Sequence, residues 1–254
     1  MKSDNFSKKL VVALALFAVQ VFSQNSFTDN RDGKKYKAVK IGEQVWMAEN
    51  LNYAGEDGYL GLCYGDKPKE KIRNPDNCSK YGRLYDWSEA MGLDRMFNNK
   101  RWGGKDEKHR GICPVGWHLP NYDEFKVLVN FAGGSETAGQ KLKSKSSWIN
   151  QENCKRTERK EDDRGRITVI EHDDCASDVY GFSAIPGGFG GDGFDSMGSV
   201  GIWWSSSERE AVEDLHRQVM SSGGGGLGLG CNHNKVIWQI FGKTALFSIR
   251  CIQD

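Results

Sequence analysis

Among its seven cysteines the sequence has no C-x-x-C pair, which weighs against a zinc ribbon or a thioredoxin-type redox centre. It has almost no net charge, with 35 Lys and Arg against 34 Asp and Glu, so it offers no generally basic face to nucleic-acid phosphates. The G-x-S-x-G elbow of a hydrolase is missing. The G-x-G spacing inside SSGGGGLGLG (221–230) has no helix pattern after it, which weakens a nucleotide-binding reading. There are only five prolines, no Pro- or Ser-rich linker and no fixed-period repeat, so nothing in the sequence divides it into domains.

Long apolar runs are lacking too, with one exception. Lys2, Lys8 and Lys9 precede LVVALALFAVQVF (10–22), a run too short to span a bilayer and followed at once by polar residues. This layout predicts a signal peptide over residues 1–23, cleaved after Ser23, and one mature domain over 24–254. Loss of three lysines and one aspartate with that segment takes the net charge from +1 to −1. The expected location is secreted or in the cell envelope, with no membrane span after cleavage and no nucleic-acid partner.

Export changes the meaning of the cysteines. Cys63, Cys78, Cys113, Cys154, Cys175, Cys231 and Cys251 read as a disulfide framework with one thiol left over. Cys63 and Cys78 bracket a polar loop containing NPDN, and Cys154 and Cys175 bracket a charge-dense run expected to be a solvated excursion. Six paired cysteines still allow 15 connectivities.

With 31 glycines and 8 tryptophans, short elements around an aromatic core are expected, in an α+β fold. SFTDNRDGKKYKAVKIGEQVWMAENL predicts three strands turning at Gly33 and Gly42. Two short helices are predicted. One carries Trp87, Ala90 and Met91 and stops at Gly92; the other is capped by Asn121 with Glu124 three residues on, and carries Phe125, Leu128, Val129 and Ala132 as its apolar stripe. CPVGWHLP (113–120) is then the lead-in to the second helix, with His118 a structural histidine. YGFSAIPGG, GIWWSSSE, KVIWQIF and ALFSIRCIQD predict strands, with GGFGGDGFDSMGS and SSGGGGLGLG as long glycine-rich loops. Strands at both ends are expected to meet in one sheet.

Taken in order, DGKKYKAVKIGEQVWMAENLNY, YGRLYDWSEAM, CPVGWHLPNYDEF, AGQKLKS, YGFSAIPGG, WWSSSE and FSIRCIQD resemble the Fibrobacter succinogenes major paralogous domain, from about Asp32 to Asp254. The resemblance implies an exported, disulfide-stapled bacterial domain similar in fold to C-type lectins and to the formylglycine-generating enzymes, with no established activity. It also implies a Cys113–Cys251 bridge. Cys63–Cys78 and Cys154–Cys175 then remain, with Cys231 as the free thiol after a glycine stretch expected to be exposed; a buried, inert thiol is the favoured expectation, and a disulfide dimer through it the alternative.

The functions of these similar folds can be checked against the residues. Calcium-dependent lectins use Glu-Pro-Asn or Gln-Pro-Asp and Trp-Asn-Asp triplets, none of which occurs here. Asp192 and Asp195 are the candidate calcium ligands that remain, and no cofactor is expected. The copper chemistry of formylglycine-generating enzymes needs two nearby thiolates; here Cys231 stands alone with His233 two residues on. The expected function is therefore a non-catalytic exported module that binds polysaccharide or extracellular protein through its late loops, or that builds the envelope. Trp102, in the polar stretch NNKRWGG, is the candidate for stacking on a sugar ring. The rival expectation is a divergent metal-dependent enzyme using Cys231 and His233.

Overall fold

The computed structural model describes residues 24–149, 155–173, 175–210 and 222–254. The expected signal peptide and Cys154 lie outside these residues. The opening meander forms as expected from β1 (Gln24–Thr28), β2 (Lys35–Ile41) and β3 (Gln44–Met47). Gly33 and Gly42 turn it with φ of 72° and 61°, a region that costs glycine nothing. Two short late strands complete the sheet, β4 (Trp117–His118) and β12 (Ile252–Gln253), in the order β1-β2-β3-β12-β4. Ile252 pairs with Trp46 on one side and His118 on the other, so strands from both ends of the chain do share one sheet.

Both predicted helices are present, each with a complete capping box. The helix α2 (Trp87–Met91) is capped by Asp86 with Glu89, and ends at Gly92 with φ 63°. The helix α3 (Tyr122–Phe131) is capped by Asn121 with Glu124, an arrangement that contributes about 1 kcal/mol. Its stripe of Phe125, Leu128 and Val129 is buried, as is Ala132 just beyond it. The expectation of two helices is nevertheless too low. Two more occur, α1 (Pro75–Tyr81) and α4 (Ala138–Leu142), and neither has a side-chain cap hydrogen bond to mark it in sequence.

The second sheet corrects a larger reading. GIWWSSSE belongs to β9 (Val200–Glu210) and KVIWQIF to β11 (Ile237–Phe241), as expected, but the supposed glycine loop between them is β10 (Ser222–Gly230), the central strand. Its alternation explains why. Leu227 and Leu229 point into the core, and the glycines between them occupy the opposite face. Cys231, directly after β10, is therefore buried rather than on an exposed loop.

The charge-dense run is likewise a hairpin, β5 (Lys155–Glu161) with β6 (Ile167–Asp173), although its side chains are largely exposed as expected. Asp162 accepts the N–H groups of Arg164 and Arg166 at its tip. GGFGGDGFDSMGS contains a small hairpin, β7 (Phe189–Gly190) with β8 (Phe194–Asp195). YGFSAIPGG forms no strand, only isolated bridges from Ala184 to Lys143 and from Gly188 to Gly201.

Two aromatic-rich cores flank β9, and its alternation serves both. Trp203 joins Trp46, Phe125 and Phe182 on one side; Trp204 joins Trp87, Tyr85 and Phe247 on the other. Two disulfides hold the ends of this arrangement, Cys63–Cys78 and Cys113–Cys251, as the resemblance implied. Cys175 is also disulfide-bonded.

His118 is buried between two carboxylates. Its Nδ1 lies 2.7 Å from Asp254 Oδ1 and its Nε2 2.8 Å from Glu124 Oε1, so the C-terminal strand is tied to the cap of α3. Burial lowers the pKa, but the hydrogen bonds and charges of Glu124 and Asp254 outweigh it and raise it above the ordinary imidazole value. A raised folded-state pKa stabilises the protein fully below about pH 6.5 and ceases to do so as pH rises through the folded value. The denaturation midpoint is expected to fall between pH 6 and pH 9, and a His118→Gln variant to lose most of that dependence. An equal slope in the variant would locate the titration elsewhere.

Candidate functional site

The face of β10 opposite Leu227 and Leu229 carries only glycine, at Gly224, Gly226, Gly228 and Gly230, and all four are buried. A strand without side chains marks a place where something approaches the backbone closely. At three of the four positions that something is the protein itself. A Cβ on Gly224 would lie 2.4 Å from Trp87 Cδ1, on Gly226 3.1 Å from Phe241 Cε2, and on Gly230 2.7 Å from His233 Nε2. At Gly228 the nearest atom would be Ile237 Cβ at 3.7 Å.

Gly228 is thus the floor of a trough between the Phe241 and His233 rings. Its register partners Ile202 and Ile237 form the walls, and the cavity has a volume of about 310 Å³. Asn232 and Gln239 stand exposed at the rim, each with an amide that can both donate and accept. Among the described residues no carboxylate, lysine or arginine lines it.

Cys231 and His233 both border this trough, so the pair named in sequence does converge on one cavity. His233 Nδ1 is buried with no hydrogen-bond partner, while the main-chain oxygens of His233 and Gly230 accept from the buried ammonium of Lys143. The donor set does not fit a two-thiolate copper centre. Among the described residues Cys231 is the only cysteine at the trough, and Cys63, Cys78, Cys113, Cys175 and Cys251 are all in disulfides. Among the described residues no three His, Cys, Asp or Glu side chains group as a metal cluster would require.

The other candidates stand apart from the trough. Trp102 is mostly covered, with its ring edge-on to Trp87 and His109 and packed on Gly104. Its backbone N–H, with that of Gly103, donates to the Glu208 carboxylate, which also binds the buried Lys243 ammonium. Burial raises the pKa of Glu208, but those N–H groups and the ammonium outweigh it, for a net decrease. Asp192 and Asp195 are exposed on the β7–β8 hairpin, where Asp195 Oδ1 accepts from Ser196 Oγ.

Sequence reasoning missed Gly228, Ile237, Gln239 and Phe241 as site residues. The sign that would have found them is the L-G-L-G alternation at 227–230, a period-two pattern in which glycine replaces every outward side chain.

No curated protein and no solved structure matches the chain. A family model described as the Fibrobacter succinogenes major domain matches residues 39–253, which include the strands from β3 to β12, the Cys63–Cys78 and Cys113–Cys251 disulfides and the trough. The chain belongs to the Fibrobacter succinogenes major domain family.

Proposed function

We propose that the protein is an exported, non-catalytic recognition module on a lectin-like scaffold, which takes a neutral sugar unit of a polysaccharide into the trough over Gly228. The observation that carries this reading is the glycine floor between two rings, where a Cβ would reach only ordinary contact distance from Ile237 and Ile202. A pyranose offers an apolar C–H face and a rim of hydroxyls. Phe241, Ile202 and Ile237 suit the face, and the Asn232 and Gln239 amides suit the rim. The volume lies at the lower end of the roughly 300–1,000 Å³ typical of ligand clefts, which fits one ring of a longer chain. The absence of charged side chains in the lining favours a neutral unit, and the disulfides fit an oxidising compartment.

The test is a glycan array and pull-down with the purified chain, with and without a calcium chelator. Neutral glycans are expected to bind equally in both conditions. Gly228→Val fills the floor where a Cβ meets no atom within 3.7 Å, so it should keep the native circular dichroism while weakening binding at least about tenfold. Trp102→Ala should bind as the unaltered chain does. Full binding by the Gly228→Val protein would refute the trough, and loss confined to Trp102→Ala would move the site to the 99–110 loop. A stoichiometric, thiolate-dependent copper site in a titration would instead favour the enzyme built on Cys231 and His233.

A further inference from the structure

A second concavity, of about 280 Å³, lies between the start of β2 and the end of α1, and its chemistry is the opposite of the trough's. Lys34, Lys35 and Lys80 line it with Asn52 and Ser79, against one carboxylate, Glu49. That carboxylate is engaged, since Glu49 Oε2 accepts the Lys37 N–H at 2.7 Å. Lys34 is engaged as well, donating to Asp32 and to the Asn52 main-chain oxygen. Lys35 and Lys80 form no ion pair among the described residues, yet they come from two different elements onto one groove. The Lys80 ammonium lies 4.9 Å over the Tyr81 ring.

The walls are fixed before any ligand arrives. The Cys63–Cys78 bridge anchors α1 two residues before Lys80, and Lys35 begins a paired strand opposite Thr28. Gly82, with φ 78°, packs so closely on Asn50 that a Cβ would sit 2.6 Å from that residue's Cβ. Such preorganisation reduces the ordering cost of binding.

Resting on the reading of the protein as a polysaccharide-recognition module, we propose that this groove binds anionic groups carried on a polysaccharide, with Lys35 and Lys80 as the two charge contacts and Asn52 and Ser79 facing the hydroxyls. Two separated ammonium groups are point charges without the planar fork of arginine, so they accept carboxylate or sulfate alike. Net charge supplies no general attraction to a polyanion, because the whole sequence carries only +1. Any such affinity must therefore be local.

Affinity electrophoresis of the full chain through polygalacturonate, dextran sulfate and neutral dextran tests this at low and high salt. Retardation is expected in at least one of the two anionic polymers, weakened by salt, and its distribution between them names the anionic group. The Lys35→Ala/Lys80→Ala protein should lose about tenfold in affinity, whereas Lys126→Ala, on the exposed side of α3, should lose little. Gly228→Val should bind the anionic polymers normally, which separates failure of this groove from failure of the trough. No retardation in either anionic polymer, or equal losses in the double variant and Lys126→Ala, would overturn the proposal.

Discussion

Replacing Cys113 and Cys251 together by alanine is expected to destabilise the protein by about 5 kcal/mol, against about 3 kcal/mol for the same change at Cys63 and Cys78. The difference comes from the loops the two bridges close, with sequence separations of 138 and 15. In the chain-entropy description a crosslink acts on the unfolded state, and a longer loop has more freedom to lose. Cys113 and Cys251 are both fully buried, so the alanine pair also leaves a small void that adds to the loss. Urea denaturation of the oxidised single-bridge variants reads both values. Equal midpoint shifts would mean that local packing, and not loop closure, sets their contributions.

Arg250→Met is expected to cost roughly 3–5 kcal/mol, even though methionine fills much of the same volume. The Arg250 side chain is fully buried and, among the described residues, has no carboxylate in contact. Its donors go to Asn50 Oδ1 at 3.0 Å, to the Ser183 oxygen at 2.7 Å, and to the main-chain oxygens of Phe182 and Met47. Burial pulls its pKa down to about 9, and the more distant charges of Asp178 and Glu49 counter this in part. The guanidinium lies 4.5 Å over the Phe182 ring, so it binds the loop before β7 to β3 from inside the core. Methionine would take this donor from the Phe182 and Ser183 oxygens, while Asn50 Oδ1 keeps the Trp203 indole N–H. A loss below 1 kcal/mol would show that the loop finds other partners.

What was legible in sequence is what local chemistry marks. The capping box and stripe of α3 were readable because local side chains decide them, and α2 was found from its apolar spacing and Gly92, with its Asp86–Glu89 box supplied by the structure. The opening meander was readable from its turn glycines. The helices α1 and α4 were not, being short and without a side-chain cap. β10 was hidden by composition: glycine weakens a strand on its own, and only pairing on both sides with β9 and β11 makes Ser222–Gly230 one. The site was half legible for the same reason. Cys231 and His233 carry recognisable chemistry, whereas Gly228 contributes by having no side chain, and its openness depends on Ile202 and Ile237, which register alone brings beside it. For Arg250, its place in FSIRCIQD gives no hint that its four acceptor residues come from positions 47, 50, 182 and 183.

The order of strands has a kinetic consequence. Because β12 sits between β3 and β4, a chain made or threaded from its N-terminus carries the β3 edge unpaired until residue 252 follows. Trp46 and its neighbours must wait for more than 200 residues before their hydrogen bonds on that side are met. Such late, distant pairing slows folding and leaves a sticky edge exposed in the interval. The Cys113–Cys251 bond forms at the same late moment, so oxidation records the closing of the sheet instead of guiding it. Cys63 and Cys78, only 15 positions apart, can join long before, and the molecule is stapled first at its periphery and last at its centre.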